Sequence, residues 1–122
     1  MSGGSLCDYE QYKIGYIADE IEQLIIKNGK PKRKEDRYSW DEEGILYSNY
    51  SPKEIQQFQE AVLALRIAEV FSQRVDWLVS GDDGEESFHQ RLEEELKEVR
   101  GKYTQQYFDK LIAMPIEKYY ED

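Results

Sequence analysis

One cysteine, one histidine and three prolines are all that the 122 residues contain of these types. A lone Cys7 excludes an internal disulfide and fits a reducing cytosol. One His and one Cys are too few for a structural zinc site, which needs a full set of N or S ligands. A Cys7–His89 nucleophile pair would rest on a thiol in the N-terminus, where nothing orients it. No glycine-rich phosphate loop is present. The longest apolar run, Ala61 to Leu65, is five residues, against the ~20 of a membrane-spanning helix. Met1-Ser-Gly-Gly-Ser-Leu6 has neither the basic start nor the apolar stretch of a signal peptide. These absences give an expectation of a cytoplasmic protein with no membrane contact, no cofactor, no metal and no enzymatic activity.

What the chain has is acid and aromatic residues. The net charge is −10, and ten Tyr, four Phe and two Trp are spread along a one-domain length. Regularly spaced apolar residues argue against disorder. The charge disfavours broad contact with phosphate backbones and suits a basic partner surface.

The periodicity predicts a mainly α fold. The first helix is expected from about Asp8 to Asn28, with Ile14, Ile17, Ile21, Leu24 and Ile25 on its buried face. Asn28-Gly29 and Pro31 should end it. Tyr38-Ser-Trp40 and Ile45 to Tyr50 flank the acidic turn Asp41-Glu-Glu-Gly44, a pattern that predicts a small β-hairpin with Gly44 at positive φ. Ser51-Pro-Lys-Glu54 reads as a capping box opening the second helix. That helix is apolar around much of its circumference from Ala61 to Phe71 and should be the central one. Ser80-Gly-Asp-Asp-Gly84 ends it. A second capping box, Asp83-Gly-Glu-Glu86, opens a stripe of Phe88, Leu92, Leu96, Val99, Tyr103, Tyr107, Leu111 and Met114. The expected architecture is therefore a three-helix bundle, or four helices if the last kinks at Gly101, with the hairpin between helices 1 and 2. The expected organisation is a disordered segment 1–7, one helical domain over 8–115 and an acidic tail over 116–122.

Glu86-Ser-Phe-His89 places a carboxylate and an imidazole on one helical face, the spacing that di-iron bundles use twice. With a single His, only a symmetric dimer would complete such a site, so a solvated first turn is the favoured reading. The densest acidic area comprises Asp82, Asp83, Glu85, Glu86, Glu93, Glu94, Glu95 and Glu98, of which Asp82, Asp83, Glu93, Glu94 and Glu98 are the expected partner-binding residues. Consecutive glutamates on a helix fan out over about 200°, which makes a charged surface rather than a metal site. Glu93–Lys97 and Glu98–Lys102 are expected as ion pairs across one turn. The only basic island is Lys30, Lys32, Arg33, Lys34 and Arg37, followed by Tyr38 and Trp40. Cations mixed with aromatics favour single-strand binding, but a solvated loop is the favoured reading in so acidic a chain. Trp40 and Trp77 are expected to pack against the helices, with Trp40 otherwise a partner anchor.

Arg66-Ile-Ala-Glu-Val-Phe-Ser-Gln-Arg-Val75-Asp-Trp-Leu-Val-Ser-Gly-Asp-Asp83 resembles the closing helices of phage-repressor-type helix-turn-helix domains. The resemblance covers only the framework end of that family. Upstream, where a recognition helix would lie, stand Trp40-Asp-Glu-Glu-Gly44, so no DNA-contacting residue carries over.

The functional expectation is a small non-enzymatic protein-binding module, an adaptor, inhibitor or regulator of the phage or mobile-element kind. It would act through its acidic helical surface on a partner protein with a basic surface, and a homodimer stays open. The alternative is a nucleic-acid-binding regulator using residues 30–37.

Overall fold

The computed structural model describes residues 10–120. Helix α1 is Gln11–Lys27, α2 Pro52–Val79, α3 Glu85–Lys102, α4 Gln105–Ala113 and α5 Ile116–Tyr119. A 3₁₀ turn occupies Lys34–Asp36. The fold is mainly helical, as expected. The segment 1–7 and the first residues of the expected first helix lie outside the described residues.

Helices α1 and α3 both run antiparallel to α2. Gln11 bonds Asp76 near one end of the α1–α2 pair, Arg66 reaches Gly15, Asp19 and Glu22 at its middle, and Ile25 meets Ile55 near the other end. Arg74 bonds Glu95 across the α2–α3 pair. Helices α4 and α5 pack on α1. The apolar core is formed by Ile25, Ile26, Ile55, Val62, Phe108 and Leu111, where the C-terminal end of α1 meets the start of α2 and α4. Toward the other end, the α1–α2 seam turns polar.

The buried face of α1 differs from the expected apolar one. Gln11, Gly15, Ala18, Ile25 and Ile26 are buried, while Ile17 and Leu24 are largely exposed. The buried stripe steps by fours and threes, as a helix face must, but much of it is small or polar. Gly15 and Ala18 let the helices approach closely. Arg66 on α2 then fixes the rotation of α1 by bonding the Gly15 carbonyl at 3.2 Å, Asp19 at 2.5 Å and Glu22 at 2.6 Å.

The expected hairpin does not form. Asp41 accepts from the Tyr38 amide at 2.8 Å and pairs with Lys32 at 3.1 Å, which curls residues 38–41 into a turn. The strand-like segment Ile45 to Ser48 pairs instead with the chain just after α1. Lys32 N–H donates to Ile45 at 2.7 Å, Tyr47 N–H to Lys30 at 3.0 Å and Gly29 N–H to Ser48 at 2.8 Å. The pairing is limited to isolated bridges, Asn28 to Ser48 and Pro31 to Leu46; Pro31 is tolerated there because the bridge uses the N–H groups of Lys32 and Tyr47 and not its own. Gly29 and Gly44 both take positive φ, as their turns require.

Helix ends also depart from the sequence reading. Ser51 occupies the N-cap position of α2 but its side chain forms no cap hydrogen bond, and the N-cap position of α3 falls to Gly84, which has no side chain to cap with. Asp83 points to Arg74 instead of capping α3. The last stripe is broken after Lys102, not at Gly101. Tyr103 leaves helical geometry and Thr104 caps α4, its hydroxyl accepting from Tyr107 N–H at 3.4 Å. Among the described residues the expected three or four helices are thus five. The expected tail begins with a helical turn whose Ile116 is buried. Helix α2 runs unbroken from Pro52 to Val79, and residues 28–51 hold no α-helix. The stretch 66–83 is accordingly the end of one helix and its turn, with no helix-turn-helix upstream.

Candidate functional site

Helix α3 is fastened to α2 along one side and buries none of its residues. Its outer face carries Glu93, Glu94 and Glu98, all exposed, with Asp82 exposed in the preceding turn. The expected Glu93–Lys97 and Glu98–Lys102 pairs are absent among the described residues; Glu94 only accepts from Gln90 at 3.3 Å. Glu93, Glu94 and Glu98 therefore form no ion pair among the described residues.

Asp83, expected on the same surface, is buried. It lies 3.0 Å from Arg74 and 3.7 Å from Arg91, so its charge is spent inside the fold. Arg74 also grips Glu95 with Nε at 2.9 Å and Nη2 at 2.8 Å, a fork-to-fork contact with ordered geometry. This node joins the start of α3 to α2. It was not visible as a unit, because Arg74, Asp83 and Glu95 are separated in the sequence.

The basic island divides in two. Lys30 donates to the Ile26 carbonyl and, at 3.0 Å, to the Ile112 carbonyl, tying the C-terminal ends of α1 and α4 together. Burial pushes its pKa down. Lys32 is held by Asp41 and lies 4.8 Å from the Tyr38 ring centroid. Arg33 pairs with Asp36 and stacks 3.4 Å from the Tyr120 ring centroid. Lys34 and Arg37 form no ion pair among the described residues. The Tyr47 hydroxyl donates to Asp36. The Arg33 contact first, and the Tyr47 hydroxyl second, hold the Asp36 carboxyl down at about 2.

Trp40, expected to pack on the helices, is 77% exposed. It stacks on Tyr38 with ring centroids 4.9 Å apart, and the pair projects from the 28–51 loop. Trp77 is half-buried with Arg74 4.2 Å from its ring centroid. His89, Glu86 and Glu93 are exposed. Among the described residues no group of three or more His, Cys, Asp and Glu is placed to hold a metal ion, and no helix is long and apolar enough to cross a membrane.

A cavity of about 410 Å³ opens where α1, α2 and α4 meet, flanked by Gln56, Gln59 and Gln105. No sequence motif pointed to it, because its polar members are scattered glutamines. Comparison with family models, curated proteins and solved structures gave no match.

Proposed function

We propose that this chain is a non-enzymatic protein-binding module, an adaptor, inhibitor or regulator that presents the outer face of α3 to a basic surface on a partner protein. The observation that supports this reading is that Glu93 and Glu98 are exposed and form no ion pair among the described residues, although Lys97 and Lys102 lie one turn away. Unpaired carboxylates steer a cationic partner and need break no internal ion pair on docking. The projecting Trp40–Tyr38 stack offers a rigid apolar contact of the kind that anchors interfaces.

The alternative, a nucleic-acid-binding regulator acting through residues 30–37, has less free charge than the sequence suggests. Lys30, Lys32 and Arg33 are engaged within the fold, which leaves Lys34 and Arg37. A gel shift at low salt tests it, and no shift at high micromolar protein would exclude it.

The test of the main reading is affinity capture from the native host, with the wild-type chain and the Glu93→Lys/Glu94→Lys/Glu98→Lys variant in parallel. Partners specific to the wild type should be lost in the variant and weaken as salt rises. Capture should survive His89→Ala and Cys7→Ser. A partner retained by the triple variant would overturn the acidic-surface reading.

A further inference from the structure

Burial divides this molecule in two. All the fully buried apolar side chains among the described residues lie within 18–62 and 108–116. Residues 63–102 bury only Arg74, Asp76 and Asp83, all of them charged. Helix α3 sits wholly in that second part. None of its 18 residues is buried, and Phe88, Leu92, Glu95, Leu96 and Val99 are half-buried. Among the described helices, only α2 packs extensively on it. Helix α4 is half as long, yet it sets Phe108 and Leu111 into the apolar core.

Stability follows that division. A region opens separately from the rest of a fold when it buries few apolar contacts and leaves its backbone hydrogen bonds near water. Half-buried side chains contribute only part of the transfer energy of buried ones. The firmest contact of α3 is the Arg74 node, and a buried ion pair adds little net stability, because desolvation offsets much of its attraction. Undocking returns Arg74, Asp83 and Glu95 to water together. Glu95 is already 34% exposed, so water reaches that contact in the docked state. The helix is also bounded on both sides. The turn 80–84 separates its hydrogen-bond ladder from that of α2, and the break at Tyr103 separates it from that of α4.

We propose that α3 is a detachable strap with the Arg74 node as its latch. It leaves α2 as a unit, tethered at both ends, while the core of α1, α4, α5 and the start of α2 stays folded. Phe88, Leu92, Leu96 and Val99 form one stripe along the helix, so they leave together. Opening frees Asp83 and Glu95 from Arg74, and two more carboxylates join the acidic face. A partner that binds the opened form better than the docked one shifts the population toward it. This goes beyond the acidic-surface reading and does not depend on it, because it concerns how α3 is held and not what docks on it.

The test is native-state amide hydrogen exchange of the full chain, followed by NMR over a series of low urea concentrations. The amides of α3 should converge on one opening equilibrium. That opening should be populated roughly a hundredfold more than the one that exposes the amides of Ile25, Ile26 and Val62. It should respond more weakly to urea, because it exposes less surface. Ile25→Val, a conservative core change, should quicken exchange at Val62 by roughly two- to tenfold. It should leave α3 unchanged, since Ile25 stays packed when the strap opens. Arg74→Met should quicken every α3 amide by about a hundredfold, because the docked state then buries Asp83 without its cation. Equal opening equilibria and urea responses in α3 and the core would overturn the proposal. So would Ile25→Val quickening both alike, or α3 amides that scatter with no common value, which is the mark of fraying. Unchanged α3 exchange in Arg74→Met would overturn the latch.

Discussion

Arg74 Nη1 lies 3.0 Å from Asp83 Oδ2, with side chains only 6% and 4% exposed. The same guanidinium holds Glu95 in a fork, so one cation joins α2 to both the turn before α3 and the body of α3. Helix α3 buries no residue of its own, which leaves this node and half-buried Phe88, Leu92, Leu96 and Val99 to fasten it. Removing one partner of a buried ion pair strands the other charge and typically costs about 3–5 kcal/mol. Arg74→Met is therefore expected to lower stability by about 3 kcal/mol in urea denaturation. Asp83→Asn alone should cost less, because Glu95 still neutralises Arg74. The double variant should lose less than the sum, since the stranded carboxylate is gone. An unchanged midpoint for Arg74→Met would mean that apolar contacts alone hold α3.

The Arg33–Asp36–Tyr47 cluster predicts loosening at both extremes of pH. Asp36 is held at about 2, below its ordinary 3.8, by Arg33 and then by the Tyr47 hydroxyl. A depressed carboxyl contributes stability that is fully present above its unfolded value and is lost as pH falls toward 2. Tyr47 is pushed up to about 12, by burial first and by its bond to Asp36 second. A raised phenol contributes stability below its ordinary 10.0 that disappears as pH climbs to about 12. Asp36→Asn should be less stable than wild type at neutral pH, with the gap closing between 3.8 and about 2. Tyr47→Phe should flatten the alkaline loss. Thermal midpoints across the pH range check both; a gap that persists at pH 2 would refute the acidic arm.

Much of the helical scaffold was legible because its signals are local. Gly29 beyond Lys27, Pro52 after Ser51 and the turn at Gly81 mark the ends of α1 and α2 within a residue or two. The packing was less legible, because the α1–α2 seam is polar. A search for apolar faces selects Ile17 and Leu24, whereas the seam toward α2 is lined by buried Gln11, Gly15 and Ala18 and half-buried Glu22, facing Arg66, Glu69 and Asp76. Those residues look like surface until their partners are known. The break before α4 had a local signal, Thr104 three residues before Tyr107, but Gly101 nearby was the louder one. The hairpin failed for a non-local reason: Ile45 to Ser48 found a better partner in Gly29 to Lys32, across an intervening turn that Asp41 holds. For the candidate site, the exposed glutamates of α3 were legible from composition, while the burial of Asp83 required the tertiary structure.

Glu69 illustrates a carboxylate kept at some expense. It is pressed against α1 where Gly15 leaves room, and a Cβ at Gly15 would fall 2.4 Å from its Oε2. Burial pushes its pKa up, the 3.9 Å contact with Arg66 only partly offsetting this, and the charge of Asp19 adds to the rise. A raised carboxyl is bound more tightly as the neutral acid, so the folded state loses stability as pH rises through the shifted value. Glu69→Gln should raise the thermal midpoint at pH 7. The gain should vanish under acidic conditions, where Glu69 is protonated in folded and unfolded chains alike. A midpoint lowered at pH 7 would mean that the Arg66 contact outweighs the burial.

Lys30 should behave as a structural residue despite its place in the basic island. Its ammonium donates to the carbonyls of Ile26 and Ile112, groups near the ends of α1 and α4 that have few donors within their helices. Hydrogen bonds to a charged group contribute about 1.5–3 kcal/mol. Lys30→Met keeps the aliphatic stem and removes both bonds, so a loss of about 2 kcal/mol is expected. Lys34 is exposed and without an ion pair, and Lys34→Ala should change stability by less than about 0.5 kcal/mol. Denaturation midpoints separate the two. Equal, negligible losses would return Lys30 to the pool of free surface cations and strengthen the nucleic-acid alternative. The expected asymmetry would leave that reading with little more than Lys34 and Arg37 to act through.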